Sequence, residues 1–334
     1  MKIIVPMAGM GKRMRPHTLT VPKPLLPIAG KPIVQRLVED IARISHEPIS
    51  EIGFIIGDFG AEVEENLKAI AKSLGAEGKI FHQEEALGTA HAILCAQECL
   101  DGEVIVAFAD TLFKADFKLD HTKDGVLWTQ RIDNPEQFGV VKVDADGVIT
   151  DFIEKPKEFV SDLAMIGIYY FKDGGVLKDE LQYLIDNNII KGGEYQLPDA
   201  LKNMTEKGMK FAPGTVEDWL DCGNKNATVR TNKLVLHYNQ DKNWVDSSVK
   251  LTNSVVIPPC YIGEGVSIEN SVVGPHVSIG DHCRVEGSVI SNSIVQTNTV
   301  IRNANLSNSM IGNYVDYTEN SKELSLGDYS TQGK

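Results

Sequence analysis

From about residue 245 onward, apolar side chains recur every five or six residues. The series runs Val245, Leu251, Val256, Ile262, Ile268, Val273, Ile279, Val285, Ile290, Val295, Ile301, Leu306 and Ile311. An α-helix repeats every 3.6 residues and a strand every two, so neither explains it. Short strands stacked in three-sided coils do, because each side of a coil then turns one apolar residue inward. Two positions before most of these residues stands a small or slim side chain, among them Ser254, Cys260, Ser271, Cys283, Ser288, Ser293, Thr299 and Ser309. The run lasts about four coils, so residues 241–334 are predicted to form a parallel β-helix. Its open ends need caps, and "LSLGDYSTQGK" is a candidate for part of one, the alternative being a loose tail.

Residues 1–240 follow a different pattern. "KIIVP", "IGFIIG", "KIFHQ" and "EVIVAFAD" are short β-rich runs, and helical stretches alternate with them. "IVQRLVEDIARIS" places Ile33, Leu37, Ile41 and Ile44 on one helical face, and "AEVEENLKAIAKSLG" ends in a glycine stop. Strand and helix in alternation predict an α/β domain, with a Rossmann-like, mostly parallel sheet and helices on both faces. The middle section, from "GVLWTQRI" to "AMIGIYYF", is strand-rich with a "DADG" turn, and three further helical stretches follow it. Ligands of such sheets sit beyond the carboxyl ends of the strands, where Gly9 to Arg13, Gln83 and Asp110 all fall.

With 33 Lys and Arg against 46 Asp and Glu, the net charge of −13 argues against a nucleic-acid or anionic-membrane partner. A small anion in a locally positive pocket is still allowed. No run approaches the roughly 20 apolar residues of a membrane span, and residues 1–8 lead straight into a glycine loop, so neither a span nor a signal peptide is expected. Five cysteines without a C-x-x-C pair fit reduced thiols. The expectation is a cytoplasmic protein, its oligomeric state open.

In "AGMGKRMRP", Gly9 and Gly11 leave room for amide hydrogens to point at phosphate oxygens, and Arg13 adds a fork for two such oxygens. Such a loop taken alone is weak evidence for phosphate and reads first as a plain tight turn. Lys23 lies between Pro22 and Pro24, which restrict the backbone that presents it. Asp110 ends "VIVAFAD" and Asp221 lies in "DWLDCG"; singly they read as a cap and a loop acid, while two carboxylates together could hold Mg²⁺ with phosphate oxygens as further ligands.

The stretch "AGMGKRMRPHTLTVPKPLLPIAGKP" resembles the signature of sugar-1-phosphate nucleotidylyltransferases, specifically the glucose-1-phosphate thymidylyltransferase-like members. "QEEALGTAHA", "AFAD", "GVV", "EKP", "GIYYF", "GEYQLPDAL" and "WLDCG" agree in order and spacing, and the C-terminal repeats are similar to those of left-handed hexapeptide β-helices. The resemblance implies transfer of a nucleotidyl group from a nucleoside triphosphate to a sugar 1-phosphate, with release of pyrophosphate. It implies Gly9, Gly11 and Arg13 at the triphosphate, Lys23 and Lys155 as further catalytic cations, and Mg²⁺ on Asp110 and Asp221. Gln83 and Gly88 would meet the base, and Gly139, Glu154 and Lys155 the sugar phosphate. A glutamine amide suits a pyrimidine edge, so thymidine or uridine triphosphate with glucose 1-phosphate is the first expectation. Mannose-1-phosphate guanylyl transfer and a non-catalytic regulatory subunit are the alternatives. An acyltransferase role for the coils would need a basic residue, for which His276 and His282 are candidates. Met10, Lys12, His17 and Thr111 depart from the usual signature without removing a group that the chemistry needs.

Overall fold

The computed structural model describes residues 1–45, 47–115, 119–320 and 322–331. They form two compact units, Met1–Thr231 and Asn232–Lys334. No helix among the described residues is long and apolar enough to cross a membrane.

The first unit begins with β1 (Lys2–Pro6), a hairpin of β2 (Pro27–Ile28) and β3 (Lys31–Pro32), and α1 (Ile33–Ser45). β4 (Glu51–Ile56), α2 (Ala61–Ser73), β5 (Glu77–His82), α3 (Thr89–Cys95) and β6 (Val104–Ala107) complete the alternating part. The expected apolar stripe of α1 is real, with Ile33, Leu37, Ile41 and Ile44 all buried. α2 stops as its sequence dictates: Gly75 takes a positive φ, and the amides of Gly75 and Ala76 turn back to Lys72 and Ala71. β6, β1, β4 and β5 lie side by side and parallel.

β7 (Thr111–Lys114) then leaves the main sheet, while β8 (Gly125–Arg131), β9 (Gly139–Val143), β10 (Ile149–Glu154) and β11 (Leu163–Phe171) extend it. β11 runs antiparallel beside β6, and β9 and β10 pair around the "DADG" turn. α4 (Gly174–Asp186), α5 (Leu197–Glu206), β12 (Phe211–Thr215) and β13 (Asp218–Asp221) follow, and the boundary between the units falls within α6 (Lys225–Tyr238). One face of the sheet, including Ile4, Ile55, Val104 and Val106, packs on apolar residues of α3, α4 and α5. α2 covers the opposite face of β5, where Gly78 lets the Lys68 backbone approach.

In the second unit, short strands stack into three all-parallel sheets of five, five and four strands, the arrangement of the left-handed β-helix class. The register advances by 17 residues where Ile262 faces Ile279, and by 16 where Ile279 faces Val295. Ile262, Ile268, Val273, Ile279, Val285, Ile290, Val295 and Ile301 form its buried core. Leu251 is an exception: it belongs to the first coil, in register with the buried Ile268, and is itself 49% exposed. The slim residues have a specific task. Ser271 Oγ donates to Glu269 O in its own coil and accepts from Ser288 N in the next; Ser288 Oγ repeats this with Glu286 O and Ala304 N. Asparagines with positive φ turn many of the corners, among them Asn253, Asn270, Asn292, Asn303 and Asn308. His276 and His282 are also corner residues with positive φ. Residues 324–331 carry neither strand nor helix, and the last three residues of "LSLGDYSTQGK" lie outside the described residues.

Candidate active site

A cavity of about 370 Å³ opens at the carboxyl ends of β1, β5 and β6. Gly9, Gly11, Lys12, Arg13, Lys23, Gln83, Gly88 and Asp110 all line it. Eight positions scattered over the first 110 residues thus reach one space.

The glycine loop leaves β1 and folds into a single 3₁₀ turn at Lys12–Met14. Met14 is fully buried and pins the turn, while Thr18 Oγ1 donates to Gly11 O at 2.8 Å. Gly11 has φ +57°, and a Cβ there would stand 3.0 Å from the Lys23 Cβ. The loop therefore passes directly over the base of the lysine. Arg13 is exposed at the cavity wall, and its charge is felt by the Asp221 carboxyl.

Lys23 heads a second 3₁₀ turn behind Pro22, and its side chain is only 9% exposed. Its ammonium meets Asp110 Oδ2 at 2.9 Å. A buried cation needs such a partner, because desolvation of an unpaired charge costs several kcal/mol. Asp110 itself lies three residues beyond β6, in the turn that leads to β7 rather than in the strand that "VIVAFAD" suggested.

β7 and β13 pair antiparallel, with Asp221 opposite Thr111, and Cys222 N donates to Asp110 O at 2.9 Å. This small ladder brings the two aspartates together. Burial and the neighbouring Asp110 carboxylate push the Asp221 carboxyl above its usual range, against the pull of the Gly223 amide, Lys23 and Arg13. Two neighbouring carboxylates, that of Asp110 44% exposed to incoming ligand and that of Asp221 within reach of its charge, fit a hard divalent cation that takes its remaining ligands from water and phosphate. Among the described residues no larger cluster of metal-binding side chains occurs. Thr111, the departure beside Asp110, is buried, and its hydroxyl accepts a hydrogen bond from Trp219 Nε1 at 2.6 Å. Trp219 also stacks edge-on against Phe138, the residue before Gly139.

Gly139, Glu154 and Lys155 assemble separately, outside the lining of the cavity. Gly139 lies opposite Glu154 in the β9–β10 pair, and a Cβ on it would fall 2.8 Å from Glu154 Oε2. Lys155 has φ +44° and an exposed side chain, 3.4 Å from Glu154 Oε1. Tyr169 lies within electrostatic reach of both groups: its hydroxyl is pushed to higher pKa by burial, then by the charges of Glu154 and Asp110.

On the base side, Gln83 Nε2 donates to Gly88 O at 3.2 Å and contacts His91 Nδ1 at 3.1 Å. Glu194, from the "GEYQLPDAL" segment, also lines the cavity. Neither His91 nor Glu194 was singled out from sequence. The available signal for His91 is a polar side chain in α3 among the buried Ala90, Ala92, Ile93 and Leu94.

Comparison with known proteins identifies relatives of the chain. The low-salt glycan biosynthesis nucleotidyltransferase of Haloferax volcanii is 34% identical over 245 residues, covering 71% of this chain and 66% of that protein. The bifunctional protein GlmU of Methanococcus maripaludis is 29% identical over 263 residues, covering 77% of this chain and 60% of that protein. The chain thus spans 60% to 66% of the length of these two relatives. The crystal structure of a nucleoside-diphosphate-sugar pyrophosphorylase from Vibrio cholerae shares the fold with a TM-score of 0.60 at 20% identity, over 69% of this chain and 99% of that one. The Nucleotidyl transferase family model matches residues 2–237, and the chain belongs to that family.

Proposed function

We propose that the chain transfers a nucleotidyl group from a nucleoside triphosphate to a sugar 1-phosphate, most favourably from thymidine or uridine triphosphate to glucose 1-phosphate. The observation that carries this reading is the single cavity that gathers the glycine loop, Arg13, the Lys23–Asp110 pair, Gln83 and Gly88. The family match and the nucleotidyltransferase relative support the reaction class. The Gln83 amide beside Gly88 at the cavity supports contact with the polar edge of a base.

In this reading, a phosphate oxygen of the sugar 1-phosphate attacks the α-phosphorus, the bond to the bridging α–β oxygen breaks, and pyrophosphate leaves. The nucleophile is already an anion and needs no general base. The work is to bring two anions together and to neutralise the charge that develops. The amides of the Gly9–Gly11 loop and Arg13 hold the leaving β- and γ-phosphates. Lys23 offsets charge at the α-phosphate, and its burial spares it the cost of shedding water when the substrate arrives. Lys155 and Glu154 orient the sugar phosphate from the β9–β10 side. Asp110 and Asp221 would hold Mg²⁺, which supplies further charge neutralisation at the phosphates when bound.

The test is pyrophosphate release, measured with four nucleoside triphosphates against glucose, mannose and glucosamine 1-phosphates, with and without a chelator. One productive pair that requires magnesium is expected, with thymidine or uridine triphosphate as donor. No release with any pair would overturn the reading.

A further inference from the structure

The Gln83 amide nitrogen sits between a backbone carbonyl and an imidazole nitrogen. One hydrogen of its Nε2 goes to Gly88 O at 3.2 Å, and the other faces His91 Nδ1 at 3.1 Å. A neutral imidazole with its hydrogen on Nε2 presents Nδ1 as an acceptor. Turning the amide over would set Oε1 against both a carbonyl oxygen and a nitrogen lone pair. Only one amide orientation therefore satisfies the surroundings, and it leaves Oε1 as the polar group that Gln83 offers to a ligand. Gln83 lines the cavity, whereas His91 does not.

We propose that His91 is a positioning residue that fixes Gln83 with its carbonyl oxygen toward the nucleobase, and so restricts the site to bases that present a ring N–H. This rests on the nucleotidyl-transfer reading above. Uracil and thymine offer N3–H and guanine offers N1–H; cytosine N3 and adenine N1 are lone pairs and would meet Oε1 acceptor to acceptor. Burial lowers the His91 pKa, with Glu85 opposing it, which favours the neutral ring that the arrangement needs. The apolar neighbours Ala90, Ala92 and Ile93 hold the helix turn that carries the ring.

The experiment measures kcat and KM for uridine, thymidine, guanosine, cytidine and adenosine triphosphates with one productive sugar 1-phosphate, in the wild type and three variants. His91→Leu and His91→Ala remove the acceptor, while His91→Asn can return an amide oxygen near the place of Nδ1. The wild type is expected to disfavour cytidine and adenosine triphosphates. The Leu and Ala variants are expected to lose roughly threefold to tenfold of that discrimination, the worth of one net hydrogen bond. The loss should come through KM for the preferred triphosphate, with kcat held, and His91→Asn should restore it. Undiminished discrimination in whichever of the Leu and Ala variants folds would overturn the proposal. So would a His91→Asn variant as impaired as the other two, or a wild type that prefers a cytidine or adenosine donor. The last results would leave nucleotidyl transfer itself standing, whereas no turnover with any triphosphate would remove that reading and this one with it.

Discussion

Replacing Gly88 with alanine should damage the fold around the cavity, while the same change at Gly9 should spare the fold and damage only ligand binding. Gly88 sits at φ +112° and ψ 178°, a region reserved in practice for glycine. A Cβ there would lie 2.3 Å from Tyr195 O, 2.8 Å from Tyr195 N and 2.9 Å from Glu194 Cβ. Backbone atoms cannot swing aside as a side-chain tip can, so the Glu194–Tyr195 segment has to move away from α3. That movement stretches Ala90 N to Tyr195 O (3.0 Å), Tyr195 N to Leu87 O (2.8 Å) and Leu197 N to Thr89 Oγ1 (2.9 Å). Backbone strain of about 1–3 kcal/mol and two or three weakened bonds at about 1 kcal/mol each sum to about 3–6 kcal/mol. This is a large part of the roughly 5–15 kcal/mol that stabilises a typical domain. Gly9 has no atom within 4 Å of its added Cβ, and its φ lies outside the strained region. Its methyl group would project into open space beside the cavity, so Gly9→Ala should change stability by no more than about 0.5 kcal/mol. Urea unfolding gives the global stabilities, and hydrogen exchange at the Ala90 and Tyr195 amides reports the local break. A Gly88→Ala protein within about 1 kcal/mol of wild type, or a Gly9→Ala protein equally weakened, would refute the reasoning.

Arg13→Ala should lower kcat by about 10²–10³, the usual loss on removing one preorganised charge, with an unchanged melting temperature; a near-normal rate would discard its assigned role. Burial raises the pKa of Glu103, but hydrogen bonds with the Tyr170 hydroxyl at 2.7 Å and His121 at 2.9 Å outweigh it and hold the carboxyl below its ordinary range. A depressed carboxyl stabilises the fold above its unfolded pKa, and that stability is lost as pH falls through the folded value. In Tyr170→Phe the folded pKa moves back toward the unfolded value, so melting temperature should fall by less on acidification than it does in wild type; superimposable acid limbs would count against the bond. Ile290 is fully buried in the β-helix core, and Ile290→Ala should cost about 2–5 kcal/mol by calorimetry. A cost below that range would mean that the coil interior closes over the gap.

The periodic parts of the molecule were legible because each is dictated locally. The α1 stripe and the steps of five and six record a helix face and a coil side directly, and the glycine loop and Lys23 announce themselves through backbone chemistry. The asparagines that turn the β-helix corners recur with the same period, yet a count of apolar residues passes over them. What stayed hidden depends on contacts between distant segments. The β7–β13 ladder joins Thr111 to Asp221, and nothing local to either strand announces the pairing. The same holds for Trp219 bridging Thr111 and Phe138, and for the acceptor pair behind Gln83. Leu251 fits the apolar series yet stays half exposed, because a repeat marks which side chains can enter a core, not where the core ends.

The serine ladder of the second unit has an implication for how such a chain can change length. Ser271 and Ser288 each tie a carbonyl in their own coil to an amide one turn farther on. An insertion of a few residues within a side would set the coil that receives it out of step with the coil before it and break the hydroxyl–amide bonds across that junction. Gain or loss of one whole turn, 17 residues in the early coils or 16 in the later ones, keeps all partners aligned. Viable lengths of this region should therefore come in discrete sizes.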